Sequence, residues 1–138
     1  MSLQENKALV LRFVEEMQNQ HDLAALDRFF SQDFVDHAGF AHPPTLAGAR
    51  EFFSMFFAAF PDVHFTIHRQ VAEGDKVMTH KTCRATHQGA FGSIPATGKS
   101  VTFDVIDIFT VADGQLTEHW AVADFLSMMQ QLGVVPGP

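Results

Sequence analysis

Residues 101–133 read VTFDVIDIFTVADGQLTEHWAVADFLSMMQQLG. Val101, Phe103, Val105 and Phe109 alternate with Thr102, Asp104, Ile106 and Ile108, the period of two expected of a strand. Asp113-Gly114 is a tight-turn signal. The chain then alternates again over Gln115–Asp124 and closes on an apolar helical stretch, Phe125–Leu132. A long hairpin followed by a helix sets the frame for everything upstream.

Two more strand candidates precede it, Val63–Glu73 and Lys76–His87, joined at Gly74-Asp75, with Ile94–Ser100 as a loop. Before Val63 the period is helical. Leu9, Val10, Phe13, Val14 and Met17 form one stripe within residues 3–20. Asp22 is placed as the N-cap of a short helix over Leu23–Phe30. Asp33–His37 reads as a short strand and Gly39–Pro44 as a loop. Leu46–Phe60 is a third helix with a face of Phe52, Phe53, Phe56, Phe57 and Phe60, ended by Phe60-Pro61-Asp62 because a residue before proline is pushed out of the helical region. Helices first and an antiparallel sheet afterwards make the class α+β. A strongly curved sheet wrapped around those N-terminal helices would enclose a conical cavity.

The 138 residues, 46% apolar and 18% charged, suit one folded domain spanning 1–138. Fifteen Phe against one Trp and no Tyr give a large interior free of phenolic hydroxyls. A net charge of −7 with only nine Lys and Arg offers no footprint for nucleic acid and no polybasic membrane anchor. No apolar run approaches the roughly 20 residues of a spanning helix, nor does the N-terminus resemble a signal peptide. The single Cys83 forms no internal disulfide, which suits a reducing, cytoplasmic setting.

An ordered set of short motifs carries a resemblance over nearly the whole chain. It comprises Asp36-His37, Phe60-Pro61-Asp62, Glu73-Gly74-Asp75-Lys76-Val77, Thr86-His87-Gln88-Gly89 and Ile94-Pro95-Ala96-Thr97-Gly98-Lys99, then Asp113-Gly114, Glu118-His119-Trp120, Asp124 and Gln131-Leu132-Gly133. Together they resemble the SnoaL-like polyketide cyclases, or ester cyclases, of the nuclear-transport-factor-two-like superfamily. The resemblance implies a cone-shaped pocket, often a dimer built on the sheet, and an intramolecular aldol condensation without cofactor or metal. It also implies that the carboxyl at Asp124 moves the proton. Ketosteroid isomerases and scytalone dehydratases of the same fold depend on Tyr hydroxyls, which this chain lacks, and no Arg lies in the acidic segment to supply the Asp-Arg-Asp set of limonene epoxide hydrolases.

Read residue by residue, Trp120, Val122 and Asp124 share one strand face. Were that face to line the cavity, drying would make Asp124 a usable base on carbon; alternatively Asp124 is simply the N-cap of the following helix. His37, at the edge of a Gly-rich loop, either bonds a substrate carbonyl, holds Asp124, or braces loop to helix. His80 shares a face with Met78, Thr82 and Arg84 and is a candidate for the pocket. Trp120 supplies a rare buried N–H, while His119, alternating with it, is expected to face a partner or solvent. Asp107 interrupts an apolar face and needs a partner: it is a second pocket carboxyl or an interface group paired with Arg84 or Lys81. Phe56 and Phe60 complete the expected lining.

No metal site is expected. His64 and His68 lie too far apart along one strand, and His37 and His42 lack a completing Cys or Glu. Cys83 has no neighbouring base. The resemblance and the phenylalanine-rich interior, with Asp124, Trp120 and His37 as its polar contacts, set the expected activity: cofactor-free carbon-acid chemistry, an aldol-type cyclisation or isomerisation of a small apolar carbonyl ligand by a homodimer. The alternative is a non-catalytic ligand-binding or dimerisation domain.

Overall fold

The computed structural model describes residues 2–137. Helix α1 (Leu3–Arg12) opens on a reciprocal cap: the Ser2 hydroxyl accepts from the Glu5 N–H and the Ser2 N–H donates to the Glu5 carboxylate, each at 3.1 Å. It then widens into a π-helical stretch, Phe13–Gln18, where the Asn19 N–H reaches the Val14 carbonyl at 2.8 Å and the Asp22 N–H the Met17 carbonyl at 3.0 Å. The wider turn lets Met17 and Gln18, adjacent in sequence, both be buried. Asp22 makes no side-chain cap; a single tight turn, Leu23–Ala25, leads into the short α2 (Leu26–Phe29).

Strand β1 spans Phe30–Asp36, beginning earlier than the alternation suggested. Phe30 and Phe34 pack as tilted rings with centroids 4.4 Å apart, and Phe30 pairs with Leu116 of the last strand. Helix α3 (Leu46–Ala59) starts at Thr45, whose hydroxyl accepts from the Gly48 N–H at 3.4 Å, and stops before Pro61. The remaining strands are β2 (His64–Glu73), β3 (Lys76–Thr86), β4 (Ser100–Ala112) and β5 (Gln115–Ala123), followed by α4 (Phe125–Leu132).

The fold is α+β, with a curved five-stranded sheet in the order β1-β5-β4-β3-β2 and the N-terminal helices in its concave side. Strands β2 to β5 are antiparallel as expected; β1 joins the edge parallel to β5. No helix among the described residues is long and apolar enough to cross a membrane.

Two bulges decide what each face carries. Asp113 and Gly114 have φ of 51° and 72°, the left-handed pair that a two-residue hairpin requires. From that turn Ala112 pairs with Gln115 and Val111 with Leu116, but Thr110 pairs with Glu118. Thr117 is an extra residue, and beyond it every side chain of β5 changes face. Regular pairing would set Trp120 opposite Asp107; instead Ala121 stands there, and His119 stands opposite Phe109. In β2 the register slips in the same way between Ile67 and Arg69, leaving His68 as the extra residue.

Candidate functional site

Between the concave sheet face and the helices lies an apolar chamber of about 70 Å³, walled by phenylalanines that include Phe13, Phe34, Phe53, Phe56, Phe103 and Phe125. The rings interlock: Phe13 touches Phe30 at 5.2 Å and Phe109 at 5.5 Å between centroids, and Phe40 meets Phe125 at 5.4 Å. Such an apolar wall lowers the local dielectric and strengthens any electrostatic interaction inside it.

Among the described residues, five polar side chains reach this chamber: Gln18, Asp36, Lys81, Asp107 and His119. They form one chain of contacts. His119 Nδ1 lies 3.0 Å from Asp36 Oδ1, and its Nε2 lies 3.8 Å from Asp107 Oδ2. Lys81 Nζ forms an ion pair with the same Asp107 oxygen at 2.9 Å and donates to Gln18 Oε1 at 3.0 Å. The ammonium also sits 4.7 Å from the centre of the Phe65 ring. Asp36 is held by the backbone as well, accepting from the N–H groups of Ala38, Phe40 and Ala41 at 3.2, 3.1 and 2.9 Å. Asp107 Oδ1 is buried and has no hydrogen-bond partner among the described residues.

The charges set one another. Burial pushes the Asp107 carboxyl up, but the Lys81 ammonium and His119 outweigh it and hold Asp107 below the usual carboxylate range. Asp36 follows the same pattern: burial raises it, and the His119 and backbone hydrogen bonds bring it below its ordinary value. For His119, burial favours the neutral ring, yet the Asp107 carboxylate 3.8 Å from Nε2, the hydrogen bond to Asp36 and the charges of both raise its pKa above the ordinary 6.5. Two carboxylates, one ammonium and one imidazolium balance, so the protonated ring is the state that leaves the interior uncharged.

Asp107 and Phe56 are in the chamber wall. Phe60 is fully buried against Phe56 and His87, with centroids at 5.1 and 5.3 Å, behind that wall. The expectation that Trp120, Val122 and Asp124 face the cavity is reversed by the Thr117 bulge. Val122 is 78% exposed. Asp124 is exposed and caps α4, accepting from the Ser127 N–H at 3.1 Å. Trp120 stacks on His37 outside the chamber at 4.7 Å, and His37 Nε2 lies 3.0 Å from Glu118 Oε2. His80 lies on the outer sheet face, 3.3 Å from Asp104. His119, expected to face away, is inside. Lys81 is the partner of Asp107 that the sequence left open against Arg84. Gln18 and Asp36 were not singled out for the pocket; Gln18 owes its place to the π-helical turn, and Asp36 to the parallel pairing opposite His119.

The family model described as SnoaL-like polyketide cyclase matches residues 8–132. The chain belongs to that family. Among solved structures it is similar to AclR from Streptomyces galilaeus, described as a candidate hydroxylase, at 29% identity and a TM-score of 0.88, over 99% of this chain and 86% of that one. It is similar to IdmH from Streptomyces antibioticus, described as a candidate polyketide cyclase, at 30% identity and a TM-score of 0.80, over 93% and 98%. A candidate SnoaL-like polyketide cyclase from Jannaschia sp. CCS1 matches at 25% identity and a TM-score of 0.85, over 96% and 94%. A comparison with curated proteins finds no match.

Proposed function

We propose that the chain, acting as one unit over residues 1–138, performs cofactor-free carbon-acid chemistry: an aldol-type cyclisation or isomerisation of a small apolar carbonyl ligand, polyketide-like in character. The single observation that carries this reading is Asp107, whose unpartnered Oδ1 lies beside a chamber lined by phenylalanine while Lys81 and His119 stand at its other oxygen. The proton-carrying role thereby moves from Asp124 to Asp107 and His119.

In this mechanism Asp107 takes a proton from a carbon flanked by carbonyls. Lys81 and the His119 Nε2–H donate to the enolate oxygen, which gains most from fixed donors in a dry site. The enolate carbon attacks a second carbonyl, the new alkoxide takes the Nε2 proton, and Asp107 returns the abstracted proton to His119. Nothing is gained or lost overall. Asp36 orients the ring through Nδ1, as a carboxylate does for an acid–base histidine. A base held below its ordinary pKa is a weak one, so the substrate has to be acidified by two carbonyls.

Turnover of a panel of β-dicarbonyl and poly-β-carbonyl esters, followed by absorbance, tests the assignment. Asp107→Asn and His119→Gln are each expected to lower kcat by about 10²–10⁴, while Asp124→Asn, outside the chamber, leaves it unchanged. Loss of activity in Asp124→Asn with Asp107→Asn intact would overturn it. A second reading, that the chamber binds an apolar ligand without converting it, draws on Lys81 and Asp107 neutralising each other. Saturable binding with no turnover across the panel selects that reading.

We further propose a homodimer through the outer sheet face. There Val71, Met78, Ile106 and Val122 are 61%, 42%, 45% and 78% exposed, an apolar strip that a monomer would leave in water. Cys83, buried and with its thiol pushed up to about 12 chiefly by that burial, suits a reducing compartment such as the cytoplasm.

A further inference from the structure

The outer face of the sheet holds a second set of chemistry-bearing side chains that the chamber does not use. His68, His80 and Asp104 stand on β2, β3 and β4, three neighbouring strands. The bulge at His68 brings its ring onto the same face as His80, with centroids 4.9 Å apart. His80 Nε2 lies 3.3 Å from Asp104 Oδ2. Thr82, opposite Asp104 in the ladder, bridges the rest: its hydroxyl is 2.6 Å from His68 Nε2 and donates to Asp104 Oδ1 at 2.7 Å. One donor atom from each of the three residues lies within 4.8 Å of the other two.

We propose that His68, His80 and Asp104 bind one late first-row divalent cation of the zinc or nickel class, with water in the remaining positions. Two imidazole nitrogens and a carboxylate oxygen form a donor set that such ions favour over magnesium. With bonds of about 2.0–2.2 Å, neighbouring ligand atoms come to rest about 3.0–3.6 Å apart. The His80–Asp104 pair already has that separation, and only His68, an exposed side chain, has to move inward. The Thr82 hydroxyl then turns from bridge to support, donating to the ligating carboxylate. Because the ligands come from three strands, no spacing along the chain announces the set.

Arg69 competes with the ion. Its Nη1 lies 3.2 Å from His80 Nδ1, which therefore accepts, so the ring's own hydrogen sits on Nε2. A cation at Nε2 needs that hydrogen on Nδ1 and the guanidinium turned away into solvent. Removing Arg69 lifts both the clash of donors and the repulsion of like charges.

Calorimetric titration of the tag-free protein with zinc chloride and nickel chloride, with magnesium chloride as control, tests the site. One zinc or nickel ion per chain is expected, and no saturable magnesium binding. His80→Ala and Asp104→Asn should each weaken zinc binding by about tenfold or more, His68→Ala should weaken it, and Arg69→Ala should tighten it. His80 shares a ladder row with Ile106 and Val122 of the proposed dimer face, so the metal-free variants are also sized by gel filtration; parent-like size and melting curves separate lost binding from lost assembly or folding. Absence of saturable zinc binding, equal affinity for magnesium, or unchanged zinc affinity in both His80→Ala and Asp104→Asn would each overturn the proposal.

Discussion

The same two strands, β3 and β4, build two charge pairs with opposite properties. On the inner face Lys81 and Asp107 meet at 2.9 Å with side chains 2% and 3% exposed; on the outer face His80 and Asp104 meet at 3.3 Å with 23% and 60% exposed. Water and salt screen the outer pair, so its members can separate to take other partners. The inner pair has no such freedom. Each charge there was stripped of water on folding and is tolerable only because the other remains in place. Where charge is fixed it can stabilise a developing enolate, and where charge is loose it can receive an ion. A strand's alternation thus distributes two kinds of chemistry over two environments, and the register of β5 determines which side chains join each.

The most severe way to break that distribution is to remove the residue that creates it. Deleting Thr117 restores regular pairing, which turns Trp120 and Val122 toward the chamber and sends His119, Ala121 and Ala123 outward. An indole cannot occupy the place of an alanine opposite Asp107 in a close-packed wall. We expect no cooperative unfolding transition in urea for the deletion, whereas Thr117→Ala, which keeps the residue count, should unfold cooperatively. A deletion variant that melts like the parent would show that the face assignment does not depend on the bulge.

Less drastic is to strand one charge. Asp107→Ala leaves Lys81 buried beside Gln18 and the Phe65 ring with no counter-charge. Breaking a buried pair in this way should cost about 3–5 kcal/mol in urea denaturation. Replacing both, as Lys81→Met with Asp107→Leu, removes the uncompensated charge and should recover most of the loss. If the double variant is no more stable than Asp107→Ala, the single-variant cost comes from packing rather than charge.

The sequence made the architecture legible because the signals are repeated and local. Four strands with period two, turn residues at Gly74 and Asp113-Gly114, and a phenylalanine face on Leu46–Phe60 each agree with the others, so an error in one would not have moved the fold. The pocket residues depended on parity, which has no such redundancy. One unannounced residue, Thr117, exchanged His119 for Trp120 and carried Asp124 out to cap α4. Asp107 was readable because it broke an apolar face within β4, and Lys81 broke the corresponding face of β3. Gln18 and Asp36 were not, since a π-helical turn and a parallel edge pairing leave no periodic trace.

His119 distinguishes the inner face from the outer by pH alone. Its pKa is raised above the ordinary 6.5 because Asp36 and Asp107 outweigh the burial that opposes its charge. The folded chain therefore binds a proton more tightly than the unfolded one. That contribution to stability is complete below about pH 6.5 and declines as pH rises through the folded-state value. The slope for one group is at most about 1.4 kcal/mol per pH unit. At the acid end the sign inverts: Asp36 and Asp107, lowered from 3.8, contribute stability above that value and lose it as pH falls through their folded pKa values. Urea midpoints measured from pH 5 to 9 should accordingly fall on the alkaline side in the parent, and His119→Gln should flatten that fall while lowering stability throughout. A parent profile that rises with pH above 6.5 would mean that His119 is buried as the neutral ring, and the chamber would then have a proton acceptor where we place a donor.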